Sequence, residues 1–133
     1  MSDTSVVRSF FDAFRAGDLE TLVALLHDDV TVSEPAGLPI GGEYQGKRAF
    51  LQLLEIIHES YVIELQSTRL FDVGEFTLAL INETWTSKAT GASLRTRVCE
   101  LYTVADGMIT KIDVFPKDTR TLYELTVSAE EES

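Results

Sequence analysis

Cysteine and histidine are almost missing from this chain. Cys99 stands alone, so no internal disulfide can form, and a reducing compartment is expected. With His27 and His58 the only histidines, no zinc-type Cys/His spacing exists. Positive charge is also scarce: 11 basic residues face 22 acidic ones, a net charge of −11. Lys47-Arg48 is the longest basic run. Nucleic acid and anionic membranes would be repelled by such a field, so neither is expected as a partner. No apolar run approaches the ~18 residues of a membrane span. The opening residues Met1-Ser2-Asp3-Thr4 lack the basic start and apolar core of a secretory leader. A cytoplasmic protein is expected.

What is present is a hydrophobic fraction of 44% over 133 residues, enough for one real core but not for two domains. Val6, Val7, Phe10, Phe11 and Phe14 recur at helical spacing, and Gly17 is placed to close that helix. Asp18 can cap a second helix carrying Leu19, Leu22, Val23, Leu25 and Leu26, which leaves His27 at its C-terminus. Asp28-Asp29 breaks the pattern, and Val30 to Glu34 reads as a short strand stopped by Pro35. Residues 35–46, rich in glycine and proline, read as a loop. A third helix then presents Phe50, Leu53, Leu54, Ile56 and Ile57.

From Tyr61 the period changes to two, and strands are expected at about 61–72, 75–88, 93–105 and 108–115, an antiparallel meander. Helices followed by strands argue an α+β domain over residues 1–128, with helices on one sheet face and an acidic, frayed tail at 129–133.

The informative residues are acids on apolar strand rows. Leu94, Thr96, Val98, Glu100, Tyr102 and Val104 share one face, so Glu100 sits in the more apolar row. Glu83 lies between Ile81 and Trp85 in the same way, and Glu34 follows Val30 and Val32. An ionised carboxylate is costly to bury unless it is paired. Two explanations stay open: the acids form structural cross-strand pairs, as Glu83 could with Arg95 or Arg97, or they face a pocket. Cys99 falls on the opposite face, with nothing to activate it.

Several stretches carry a resemblance: Phe10 to Asp18 running into Leu19-Glu20-Thr21-Leu22, then Leu26-His27-Asp28-Asp29-Val30, Glu34-Pro35-Ala36-Gly37, and Ala105-Asp106-Gly107-Met108-Ile109-Thr110-Lys111-Ile112. Together they resemble the SnoaL-like, ketosteroid isomerase-like branch of the nuclear transport factor 2-like superfamily. That resemblance implies a cone-shaped fold, in which three N-terminal helices pack on a strongly bent, mainly antiparallel sheet enclosing a pocket. The branch includes ketosteroid isomerases, polyketide cyclases and limonene-epoxide-type hydrolases.

Ketosteroid isomerases carry a general-base Asp before Pro-x-Gly, a place that Glu34 takes here. Their protonated oxyanion-hole Asp maps to Glu100. Their oxyanion-hole Tyr falls at Phe10, which cannot donate a hydrogen bond. The Arg and two Asp of limonene-epoxide hydrolases fall at Ile81, Glu83 and Val114, leaving a single acid. Polyether epoxide hydrolases resemble the stretch Glu34-Pro35-Ala36-Gly37-Leu38-Pro39.

The resemblance thus implies a cofactor-free acid/base enzyme of isomerase, cyclase or epoxide-opening type, acting on a small apolar molecule such as a polyketide or terpenoid. Glu34 is expected as base and Glu100 as proton donor, with Glu83 as helper. Phe10, Phe14, Leu54, Ile57, Trp85, Tyr102 and Val114 are expected as walls. Neither a metal nor a nucleotide is needed. The alternatives are a non-catalytic binder of apolar ligands and an interaction module, dimerising through Arg95, Arg97, Leu101 and Thr103 on the outer sheet face.

Overall fold

The computed structural model describes the backbone of residues 2–132 and the side-chain surroundings of residues 2–127. Helix α1 (Asp3–Ala16) starts where the Ser2 side chain accepts from the Ser5 N–H. It ends at Gly17, whose φ of 68° any side chain would resist. Its buried stripe is Val6, Val7, Phe10, Phe11 and Ala13. Helix α2 (Leu19–Ala24) follows at once, capped by the Asp18 carboxylate on the Thr21 N–H at 3.2 Å.

Strand β1 (Leu26–Glu34) begins earlier than the sequence suggests. His27 lies in this strand rather than at a helix end, and its Nδ1 accepts from the Asp29 N–H at 3.0 Å. Leu26 is fully buried as a strand residue. Strand β2 (Gly42–Gln45) occupies the end of the stretch expected to be loop and pairs antiparallel with β1. Its ladder needs only backbone groups, so side-chain alternation is a poor guide to it. Helix α3 (Gly46–Ser60) buries Phe50, Leu53 and Ile57.

The meander is β3 (Tyr61–Asp72), β4 (Thr77–Ser87), β5 (Ser93–Ala105) and β6 (Met108–Pro116). Asp106 and Gly107 both take positive φ at the β5–β6 turn, the conformation that suits a two-residue hairpin. The sheet order is β2-β1-β6-β5-β4-β3, with β1 running parallel to β6, so the sheet is mixed. Its register slips between Leu65 and Ser67, between Thr103 and Val104, and between Leu26 and Thr31. Such irregularities bend and twist strands. Helix α1 packs on β3 to β6, and α3 on β1, β2 and β3.

A fourth helix, α4 (Thr119–Glu132), has no counterpart among the elements expected from the sequence. It takes in the first four residues of the stretch read as a tail, and Ser133 lies outside the described residues. Asp118 accepts from the Thr121 N–H at 2.9 Å at its start, and Leu122 is buried against the core. No helix among the described residues is long and apolar enough to cross a membrane.

Candidate active site

Strand parity decides what the concave face presents. Along β4 every odd residue from Thr77 to Ser87 is buried, which turns Ala79, Ile81, Glu83 and Trp85 inward. Ile81 pairs with Val98 and Ala79 with Glu100, so Val98, Glu100 and Tyr102 of β5 share that face. Val114 of β6 is opposite Glu100. On β1, Ser33 pairs with Asp113, so Glu34 lies beside Val114 on the other side. Glu34 and Glu100 thus flank Val114, two strand spacings or ~10 Å apart along the sheet.

Between this face and the helices is a cavity of about 110 Å³. That is the order of the ~150 Å³ apolar cavity that holds one benzene ring. It suits a single-ring molecule or the reactive end of a longer one. All ten site residues expected from the sequence line it: Glu34, Glu83, Glu100, Phe10, Phe14, Leu54, Ile57, Trp85, Tyr102 and Val114. Among the lining residues missed by sequence reasoning, Leu38 and Ile40 come from the 35–41 loop, His58 from the end of α3 and Leu122 from α4. Two apolar residues inside a glycine- and proline-rich loop were the signal for the first pair. His58 is exposed at the rim, its ring 6.1 Å from that of Phe14.

The loop is wound tightly on itself. Leu38 N–H bonds Pro35 O at 3.1 Å, Gly41 N–H bonds Leu38 O at 2.8 Å, and the Tyr44 hydroxyl donates to Ile40 O at 2.6 Å. Leu38 is thereby held in the core with 5% of its surface exposed.

The polar groups inside are few. Glu83 is 7% exposed, whereas Glu34 and Glu100 keep intermediate exposure, as expected of side chains lining a cavity that solvent can reach. The structural ion pair imagined for Glu83 is absent. Its partner across the ladder is Thr96, while Arg95 and Arg97 project from the opposite, exposed side. The two ion pairs among the described residues, Lys47–Asp28 and Arg120–Glu124, involve no pocket glutamate. Glu100 accepts from the Tyr102 hydroxyl, at 2.7 Å from Oε1.

Electrostatics follow from that arrangement. Burial pushes Glu34 up to about 8, helped by the charges of Glu100 and then Glu83. Glu83 is also pushed up to about 8 by burial and by Glu100, with the nearby Trp85 indole N–H holding it down in part. Burial raises Glu100 too, against the opposing Tyr102 hydrogen bond. The Tyr102 phenol is driven well above its ordinary range by burial, the Glu100 charge and its own donation to Glu100. These values belong to a coupled cluster, since the acids act on one another. Among the described residues, no group of three or more His, Cys, Asp or Glu is arranged to hold a metal ion.

The chain matches a family description, the SnoaL-like domain, over residues 7–112. The chain belongs to the SnoaL-like domain family. Its fold is nuclear transport factor 2-like. Similar solved structures include a nuclear transport factor 2-like protein of unknown function from Burkholderia pseudomallei. The two are 20% identical with a TM-score of 0.83, covering 95% of this chain and 99% of that one. A proposed polyketide cyclase from Pseudomonas putida aligns with a TM-score of 0.82 at 20% identity, covering 94% and 98%. TerC, co-crystallised with polyporic acid, gives 0.81 at 20% identity, covering 91% and 95%. None of the curated proteins matches. At these identities the solved structures bear on the fold of this SnoaL-like chain.

Proposed function

We propose that this SnoaL-like protein is a cofactor-free acid/base enzyme of the isomerase or cyclase type. Its substrate is a small, largely apolar molecule with a polyketide- or terpenoid-like ring. The reading is carried by one observation: three glutamates without basic partners line one apolar cavity, and one of them, Glu100, accepts a hydrogen bond from a tyrosine hydroxyl. A cluster of like charges out of water keeps some members neutral while another ionises, so acid and base coexist at neutral pH. TerC, with its polyporic acid, supports a cyclic organic ligand in a fold of this kind.

The surroundings favour a division of labour opposite to that expected from the sequence, where Glu34 was the base. A donor aimed at a carboxylate stabilises the ionised form, and the Tyr102 hydroxyl gives that support to Glu100. Burial raises Glu100 as well, but it is the acid that a hydroxyl supports, and once ionised its charge holds Glu34 and Glu83 up. Glu100 is therefore the base that takes a proton from a carbon acid, hydroxyl or water. Glu34 and Glu83 remain neutral at pH 7 and can donate.

A pH titration followed through the ¹³C carboxyl resonances tests the reading. Two carboxyls are expected to titrate near 8, those of Glu34 and Glu83. In Tyr102→Phe the Glu100 titration should move upward, because its donor is gone. All three titrating near the ordinary ~4.3 would leave a passive binder of apolar ligands as the function.

Self-association through the outer sheet face belongs to the same proposal. Arg95 and Arg97 are exposed there, and Leu101 and Thr103 are half-buried. Sedimentation is expected to detect a dimer that Leu101→Glu dissociates. A monomer at high concentration would end this part.

A further inference from the structure

One polar group in the cavity wall is left over by the acid/base reading. The indole N–H of Trp85 is cut off from solvent and makes no hydrogen bond, although Trp85 as a whole is only 7% exposed. A buried donor without an acceptor is costly and rare, which makes it conspicuous on a strand whose inward residues are all buried. Its cross-strand partners, Ile63 and Leu94, offer no side-chain acceptor, and Tyr61 covers it with a ring centroid 5.3 Å away. Two residues back on the same inward row is Glu83, whose partners across the sheet are Leu65 and Thr96. Both residues line the cavity.

We infer that Glu83 and Trp85 act as a unit, in which Glu83 gives its proton to the ligand and the Trp85 N–H is the donor held ready for the carboxylate left behind. The inference rests on the acid/base reading above and names which of the two neutral acids does the work. In the step, the O–H bond of Glu83 breaks as a new O–H bond forms on the ligand's developing oxyanion. The negative charge moves onto Glu83, where the indole N–H comes into hydrogen-bond contact with it. A neutral carboxyl is a weaker acceptor than a carboxylate, so the N–H is idle before transfer and engaged after it. Trp85 is thus a positioning residue acting through Glu83. Among the described residues the Trp85 N–H is the one buried side-chain donor left without a partner, so Glu34 has no such donor in reserve. The other titratable groups facing this unit are Glu34 from β1, Tyr61 from β3, Glu100 and Tyr102 from β5 and His58 from α3; the facing side chains of α1, α4 and β6 carry no charge.

Trp85 is the only tryptophan, so a ¹⁵N-labelled sample has one indole N–H resonance. In the wild-type protein that resonance should move downfield as the pH rises through the Glu83 titration. The movement should vanish in Glu83→Gln and persist in Glu100→Gln. In Trp85→Phe the Glu83 carboxyl should titrate about one pH unit higher, a tenfold change in proton affinity. An indole resonance that stays still while Glu83 titrates, or that moves equally in Glu83→Gln, overturns the unit and leaves the acid/base reading standing. Glu83 titrating near ~4.3 overturns both. The Glu83→Gln arm keeps the indole in place, so it decides the matter even where Trp85→Phe does not fold.

Discussion

Glu83→Gln is expected to stabilise the protein by about 2 kcal/mol or more at pH 8 while leaving it nearly unchanged at pH 5. The reason is the sign of the linkage. In the unfolded chain Glu83 titrates at its ordinary 4.5, whereas in the folded protein it is pushed up to about 8. Between those values the unfolded state has lost a proton that the folded state still holds. The folded state therefore binds more protons, and stability falls as the pH rises. At ~1.4 kcal/mol per pH unit for each such group, the decline across this window reaches several kcal/mol.

Glu34, also pushed up to about 8, adds a second contribution of the same sign, and the raised Glu100 a third. The exposed helix caps act in the opposite sense. Asp18 and Asp118 are lowered by their hydrogen bonds to Thr21 and Thr121, so what they contribute is lost as the pH falls through the carboxylate range. A stability maximum near pH 4, between the ordinary Asp and Glu values of 3.8 and 4.5, follows for the wild-type protein. Glutamine keeps the shape of a neutral glutamic acid but cannot ionise, so it removes one share of the alkaline decline. Urea unfolding at pH 5, 7 and 9 measures this directly. Wild-type and variant curves that run parallel would mean that Glu83 finds water or a cation in the folded state.

The acids could be singled out in the sequence because strand parity is a strict rule. On a half-buried strand, an acid at an apolar position is either an error of register or a group held in a cavity, and Glu83 and Glu100 are the second. The order of ionisation we propose was not legible. It rests on a hydroxyl reaching back two residues from Tyr102 to Glu100, and nothing in the spacing says which carboxyl such a donor serves. The parallel pairing of β1 with β6 joins residues some 80 positions apart, beyond the reach of any local pattern. His27 was misplaced for a related reason. Leu25 and Leu26 continue the apolar period of α2, yet backbone pairing carries Leu26 into β1 opposite Ile109. Helix α4 went unseen because Leu122, Leu125 and Thr126 make a thin inward stripe, although Asp118 followed by Thr121 is a legible cap. The cavity itself was readable as an excess of aromatic and aliphatic residues on α1 and α3. Its closure by the 35–41 loop was not, since a loop rich in glycine and proline reads as solvent-facing.

That loop carries the other large expected effect. Gly41→Ala should cost about 3 kcal/mol and enlarge the mouth of the cavity, whereas Gly37→Ala, four residues earlier, should be nearly neutral. A Cβ at Gly41 would lie 2.2 Å from Pro35 O, 2.8 Å from Leu38 O and 2.9 Å from the Ala36 Cα, all of them backbone atoms that cannot swing aside. At Gly37 the same atom would meet nothing within 4 Å. Neither glycine has a positive φ, so the contrast is one of space and not of backbone strain.

Relieving the contact means unwinding the two successive turns that bond Leu38 to Pro35 and Gly41 to Leu38, and with them the seat of Leu38. Leu38 then leaves the core, and Glu34, at the start of the loop, gains water. Since burial is the largest cause of its elevation, Glu34 in Gly41→Ala should titrate closer to the ordinary carboxylate range. Thermal unfolding of the two alanine variants measures the first effect and the Glu34 carboxyl resonance the second. Equal melting temperatures for the two variants would mean that the loop can open freely, and that its winding does not hold Glu34 out of water.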